Sequence, residues 1–174
     1  MDEYIFGFPP VIGLNPQILI LGTMPSVLSL RANEYYAHPG NAFWKIVSAI
    51  KGMDCPTNYE EKKQLILDMN IALWDVCHTC IRPGSADNDI RNEAPNQIRN
   101  LLVTNPSIHT IIFNGKTAEK LFHRHFKTID GINTIVLPST SPAYTLPFDK
   151  KLSTWRTSIQ YETFMQTFGS NFNK

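Results

Sequence analysis

Two polar segments hold the residue types that bind or cut planar ligands. The run Tyr35-Tyr36-Ala37-His38-Pro39-Gly40-Asn41-Ala42-Phe43-Trp44-Lys45 sets two adjacent aromatics before a proline–glycine turn. Aromatic faces in such a place suit stacking on a flat ring. Asn41 has two readings. Its amide is placed to orient a ligand or a water, and it also stands where a helix N-cap belongs, a position that favours asparagine. His38 is a candidate general acid or base, or an ordinary solvated loop histidine. The second segment, Gly22-Thr23-Met24-Pro25-Ser26, directly follows an apolar run; its glycine lets backbone approach a ligand and its proline stiffens the loop. It lacks the lysine and second glycine of a GxxxxGK[ST] phosphate loop and the serine of a GxSxG elbow, which excludes both chemistries there.

The other polar stretches are Asp75 to Arg82, Asn114-Gly115-Lys116 and Pro138-Ser139-Thr140-Ser141-Pro142-Ala143-Tyr144. Asp75 reads either as a ligand-binding carboxylate or as a loop cap. Cys77-His78-Thr79-Cys80 has CxxC spacing. A structural zinc site commonly uses two such pairs, and with Cys55 isolated there is no second, so buried thiols in a reducing cytosol are the expectation and no metal ligands are assigned.

The elements that must position these residues alternate short apolar runs with amphipathic stretches, the pattern of an α/β layer architecture. Strands are expected at Gln17–Leu21, Ile71–Trp74, His109–Phe113 and Thr134–Leu137. Phe43, Ile46, Val47 and Ile50 recur at helical spacing after Asn41. Further helices are expected over residues 59–69, from near Pro95 with Ile98, Leu101 and Leu102 inward, after Gly115, and from about Lys150 to Phe168. Arg82 to about Asn92 reads as a polar loop. Four strands separated by helices imply a three-layer α/β/α sandwich around a four-stranded parallel sheet, in one domain spanning residues 1–174. In such sheets ligands bind beyond the carboxyl ends of the strands, where Gly22–Ser26, Asp75–Arg82, Asn114–Lys116 and Pro138–Tyr144 fall.

With 43% hydrophobic and 18% charged residues in 174, a disordered or collagen-like chain is excluded. No apolar stretch reaches the ~18 residues of a membrane span, and the N-terminal residues do not read as a secretory signal, so a soluble cytoplasmic protein is expected. Sixteen Lys and Arg against 15 Asp and Glu leave a formal charge of +1. That balance argues against a broad basic coat for nucleic acid but allows a small cationic patch.

Gly22-x-x-Pro25 after the first strand, followed by Tyr36-Ala37-His38-Pro39-Gly40-Asn41-Ala42-Phe43-Trp44-Lys45, resembles the uracil-DNA glycosylase superfamily. Gly115-Lys116 and Leu137–Pro142 resemble its third strand-to-helix turn and its late loop, so the similarity runs in order over about residues 16–160. The mismatch-specific branch carries a water-positioning asparagine where this chain has Met24. The hypoxanthine-DNA glycosylase branch has a similarly apolar first motif and uses the asparagine of its Asn-x-Phe-Trp run. The resemblance therefore implies Asn41 as the catalytic residue of a monofunctional glycosylase that excises deaminated bases (hypoxanthine, with uracil and xanthine as further candidates) in base excision repair.

By the same resemblance Tyr36 is the stacking aromatic, Gly22 and the amides of Thr23 and Met24 contact the base, and Asp75 reads it. Pro25, Ser26, Lys116, Ser139, Thr140, Ser141, Ala143 and Tyr144 are implied to touch DNA, with Tyr144 the better wedge. Arg82 and Arg91 are further candidates for the backbone. The implied partner is single- or double-stranded DNA holding a deaminated base. No cofactor is called for, and the protein is expected to act as a monomer, at the nucleoid when on DNA. A non-catalytic DNA-binding relative and a nucleotide-binding α/β enzyme with metal at Cys77, His78 and Cys80 are the competing classes. If DNA is the partner, the +1 charge implies a few concentrated contacts and a shallow salt dependence.

Overall fold

The computed structural model describes residues 3–169, and side chains through residue 164. A four-stranded parallel sheet stands at its centre, in the order β3-β2-β6-β7. Its strands are β2 (Ile18–Gly22), β3 (Ile71–Asp75), β6 (Thr110–Asn114) and β7 (Asn133–Leu137). Every residue of β2, β3 and β6 is buried, as their unbroken apolar runs require of strands covered on both faces.

Helices flank this sheet: α1 (Val27–Ala32), α2 (Phe43–Lys51), α3 (Tyr59–Asp68), α4 (Ile98–Thr104), α5 (Lys116–His125) and α6 (Phe148–Gly169). On one side α2 packs on α3 and α6, and Phe43 meets Trp155 edge-on with ring centroids 6.0 Å apart. On the other, α5 packs on β6 and β7, as right-handed crossovers require. The chain moves one way from β2 to β3 and the other way through β6 to β7. Sheets with such a reversal hold ligands at the carboxyl ends of the two strands that flank it, here β2 and β6.

A second, three-stranded antiparallel sheet was not expected. It consists of β1 (Tyr4–Phe6), β4 (Cys77–Ile81) and β5 (Arg91–Pro95), in the order β1-β4-β5. The stretch read as loop from Arg82 to Asn92 thus runs into a strand that includes Arg91, and the helix placed near Pro95 begins at Ile98 instead. Asn96 explains the delay. Its side-chain amide donates to the carbonyls of Asp75 (2.9 Å) and Cys77 (3.0 Å), and its backbone N–H donates to Val76 O. The chain is thereby pinned to β3 and β4 before it can coil. Register shifts along β4 and β5 break the two-residue alternation that would have marked them. Helix α1 was also unread; Ser26 caps it, accepting from Ser29 N at 3.2 Å. No helix among the described residues is long and apolar enough to cross a membrane.

Candidate active site

The carboxyl ends of β2 and β3 lie side by side, Gly22 opposite Asp75. A Cβ built on Gly22 would stand 2.4 Å from Asp75 Oδ1 and 3.1 Å from the Tyr36 hydroxyl oxygen. Only a residue without a side chain lets those two groups approach the strand end. Asp75 is 3% exposed and its Oδ2 has no hydrogen-bond partner. Burial, then the neighbouring Asp87 charge, pushes its carboxyl up to about 8, with Arg82 opposing. Tyr36 holds a left-handed backbone (φ 55°) and stacks its ring on Phe43, centroids 4.2 Å apart at 29°. Its hydroxyl is buried without a partner, and burial raises its pKa, so it stays protonated.

Asn41 is not the N-cap of α2 itself, which is Ala42 and makes no side-chain cap bond, but stands one residue before it. Its Oδ1 accepts from Phe43 N at 2.9 Å, which fixes the amide at the start of α2. A carbonyl oxygen has a second lone pair, and Asn41 remains half-buried at the edge of a groove of about 520 Å³. His38 shapes this turn. Its Nδ1 accepts from Gly40 N at 2.9 Å and its carbonyl from Asn41 N at 2.8 Å.

Asn114, expected at a strand end but given no role of its own by the sequence, ties this turn to the late loop. Asn114, the last residue of β6, donates to Thr140 Oγ1 (2.8 Å) and accepts from Thr140 N (2.9 Å), while Ala42 N donates to Thr140 O at 3.0 Å. Thr140 is wholly buried, so its hydroxyl anchors loop to loop and does not face a backbone phosphate. Asn114 was masked by its neighbour, because Asn-Gly reads as a turn. Ser139 and Ser141 use their hydroxyls to accept from Ser141 N and Ala143 N, both at 3.2 Å. Ala143 and Tyr144 are exposed at the tip. Lys116 is exposed at the first position of α5, beside Gly115, where φ is 96° and a Cβ would stand 3.0 Å from that of Ser139.

The Gly22–Ser26 loop is held from outside. Arg82 is 5% exposed and its guanidinium donates to the carbonyls of Pro25 and Met24. Arg82 is therefore a clamp on this loop and not the expected DNA contact. Asp87 accepts from the Thr23 hydroxyl at 2.7 Å, and Ser85 Oγ from Val27 N at 2.9 Å. With the Thr23 and Ser26 hydroxyls so engaged, backbone N–H groups are what this loop offers a ligand. Met24 is 6% exposed in the apolar core, its sulfur 3.7 Å from where a Cβ on Gly7 would lie, so its side chain is not part of the candidate pocket.

Lys151 was also missed. It lines the groove with Asn41, Lys45, Tyr144 and Phe148, donates to Ser141 O at 3.1 Å and lies 5.4 Å from the Tyr144 ring centre; burial lowers its pKa. Its signal was weak, a lysine among polar neighbours at the start of a helix. The CxxC run gives no metal centre. It lies along β4 with Cys77 and Cys80 buried and His78 exposed, and no three His, Cys, Asp or Glu among the described residues come together to hold an ion. Burial pushes the Cys77 thiol up to about 12, away from the thiolate that zinc or redox chemistry needs.

The family model described as the uracil DNA glycosylase superfamily matches residues 9–163. A hypoxanthine DNA glycosylase of Methanosarcina barkeri is 36% identical over 150 residues, covering 86% of this chain and 94% of its own. One from Methanosarcina acetivorans is 40% identical over 138 residues, covering 79% and 86%. The solution NMR structure of a Methanosarcina acetivorans protein assigned as a uracil DNA glycosylase superposes with a TM-score of 0.76 at 34% identity, over 92% of this chain and 99% of that one.

Proposed function

The chain belongs to the uracil DNA glycosylase superfamily, and from that premise we propose that it is a monofunctional DNA glycosylase that hydrolyses the N-glycosidic bond of deaminated bases, hypoxanthine first. One observation carries the reading: Tyr36 and Asp75 leave buried, unpartnered polar atoms against Gly22 at the carboxyl edge of the sheet, with Asn41 on the adjoining turn. Buried polar groups are normally paired within the protein. Two left unpaired at this edge are what a pocket for a polar planar ring offers. The names of the Methanosarcina relatives favour hypoxanthine.

The chemistry follows from the residues. A target nucleotide turned out of the stack brings its base against Tyr36 and Asp75 and its sugar towards Asn41. Asn41 Oδ1, held by Phe43 N–H, uses its remaining lone pair to orient a water beneath C1′. An amide is a poor base, so rate enhancement comes from positioning and from stabilising charge on the departing ring. Lys151, the buried amine on the groove, is tied to Ser141 O and the Tyr144 ring, which favours water as the nucleophile. The exposed Lys116, Ala143 and Tyr144 form the rim that would meet DNA.

The test is base release from duplex and single-stranded oligonucleotides carrying inosine, uracil, xanthosine or only normal bases, read as strand breakage after alkali. Cutting of inosine ahead of the others, with normal bases untouched, is expected. Tight DNA binding with no release from any substrate would replace the enzyme by a binding module.

A further inference from the structure

Hypoxanthine and uracil share a lactam edge, a carbonyl oxygen that accepts beside a ring N–H that donates. A pocket reading both atoms needs one donor and one acceptor, and several side-chain donors near Gly22 are already engaged. The Asn114 amide serves Thr140, the Thr23 hydroxyl serves Asp87, and Arg82 serves Pro25 and Met24. The side-chain groups that stand against Gly22 itself are the Tyr36 hydroxyl and the Asp75 carboxyl, whose Oδ2 is unpartnered.

Resting on the glycosylase reading, we infer that Asp75 meets the flipped base as a neutral carboxylic acid. Its O–H donates to the exocyclic oxygen of the lactam edge while its carbonyl oxygen accepts from the adjacent ring N–H. This pairing makes Asp75 a catalytic residue as well as a reader. As the C1′–N bond breaks, its electron pair passes into the base and gathers in part on that exocyclic oxygen. A neutral acid strengthens its hydrogen bond to the growing charge, whereas an ionised carboxylate would repel it. The Asp75 proton stays on its own oxygen throughout. Water adds to C1′, and the proton it sheds ends on the departed base, so atoms and charge balance.

The surroundings support the neutral form. The titratable groups that face Asp75 are Asp87 and Arg82 from the loop after β4, Tyr35 and Tyr36 from the turn before α2, and Cys77 at the start of β4. Arg82 is the one cation among them, and it is drawn off by the carbonyls of Met24 and Pro25 and by Asp87, 3.7 Å away. Burial is the dominant influence and raises the Asp75 pKa.

Single-turnover excision of inosine from about pH 6 to about pH 9 by wild type, Asp75→Asn and Asp75→Ala tests this. The asparagine amide has nearly the shape of a neutral acid, with an N–H group to donate and a carbonyl oxygen to accept. Asp75→Asn should stay within about tenfold of wild type at pH 6, and Asp75→Ala should lose about a hundredfold or more. Wild type should lose rate as pH passes about 8, a fall absent from Asp75→Asn, which faces the same substrate. An infrared band for a protonated carboxyl, present in wild type at pH 6.5 and missing from Asp75→Asn, gives the protonation state even if Asp75→Ala fails to fold. The inference falls if Asp75→Asn is as slow as Asp75→Ala, if both enzymes share one alkaline fall, or if the band is absent. A wild type that releases no base sinks the glycosylase reading and takes this one with it; a wild type that cuts while either variant test fails sinks this one alone.

Discussion

Asp75 at the carboxyl end of β3 and Glu162 on α6 at the amino ends of β6 and β7 are both buried, at 3% and 6% exposure, yet they are held in opposite ways. Glu162 is surrounded by partners. It accepts from the Thr110 hydroxyl and from Asn133 Nδ2 at 3.4 Å, and His109 Nδ1 lies 3.7 Å from it. Asp75 has an unpartnered oxygen, a second carboxylate nearby in Asp87 and a neighbouring tyrosine hydroxyl equally without a partner. A buried carboxyl supplied with donors locks elements together; one denied them keeps hydrogen-bonding capacity in reserve for something that arrives later. The sheet places the first kind where strands begin and the second at the carboxyl edge, where the proposed pocket lies.

The largest effect expected from breaking this contrast comes from Gly22→Ala. The new Cβ would enter the space of the Asp75 carboxyl and the Tyr36 hydroxyl. Urea unfolding should show a loss of about 1–3 kcal/mol, and single-turnover excision should slow by about a hundredfold as the pocket shifts. Glu162→Ala tests the other pole. It strands the Thr110 and Asn133 donors and should also lower the unfolding free energy by about 1–3 kcal/mol, with the excision rate unchanged well below Tm.

Asp75→Asn sharpens the contrast through pH. The Asp75 carboxyl is raised from 3.8 to about 8 in the folded chain, so between those values the folded state holds a proton that the unfolded state has released. The associated stability is full below the lower value and drains away as pH rises towards the upper one, by up to about 1.4 kcal/mol per pH unit. Thermal unfolding of Asp75→Asn across this window should show a flatter profile than wild type and a higher Tm at pH 8. The smallest effect belongs to the rim. Lys116→Ala should weaken binding uniformly across DNA sequences and reduce an already shallow salt slope by about one unit.

The parallel sheet was legible because Ile18–Leu21, Ile71–Trp74 and Ile111–Phe113 are apolar without interruption, which a strand buried on both faces must be. The antiparallel sheet was not. Cys77-His78-Thr79-Cys80 invites a ligand reading, and its strand character comes from pairing with residues far away in the chain, Tyr4–Phe6 and Arg91–Pro95. In the site, residues at or just past a strand end could be placed by position alone, as with Gly22, Asp75 and Lys116. What each side chain does there could not. Thr140 and Arg82 read as DNA contacts until their buried partners are seen, and Asn114 and Lys151 read as nothing special. Hydrogen bonds across more than twenty residues of chain, such as Asn114 to Thr140 or Thr23 to Asp87, leave no local pattern.

The most direct test sets Asn41→Ala beside Glu162→Gln and follows free hypoxanthine released from an inosine-containing duplex by chromatography. Wild type and Glu162→Gln should release the base at similar rates, and Asn41→Ala should be slower by about 10²–10⁴-fold while still binding the duplex. Equal release by wild type and Asn41→Ala would contradict the account.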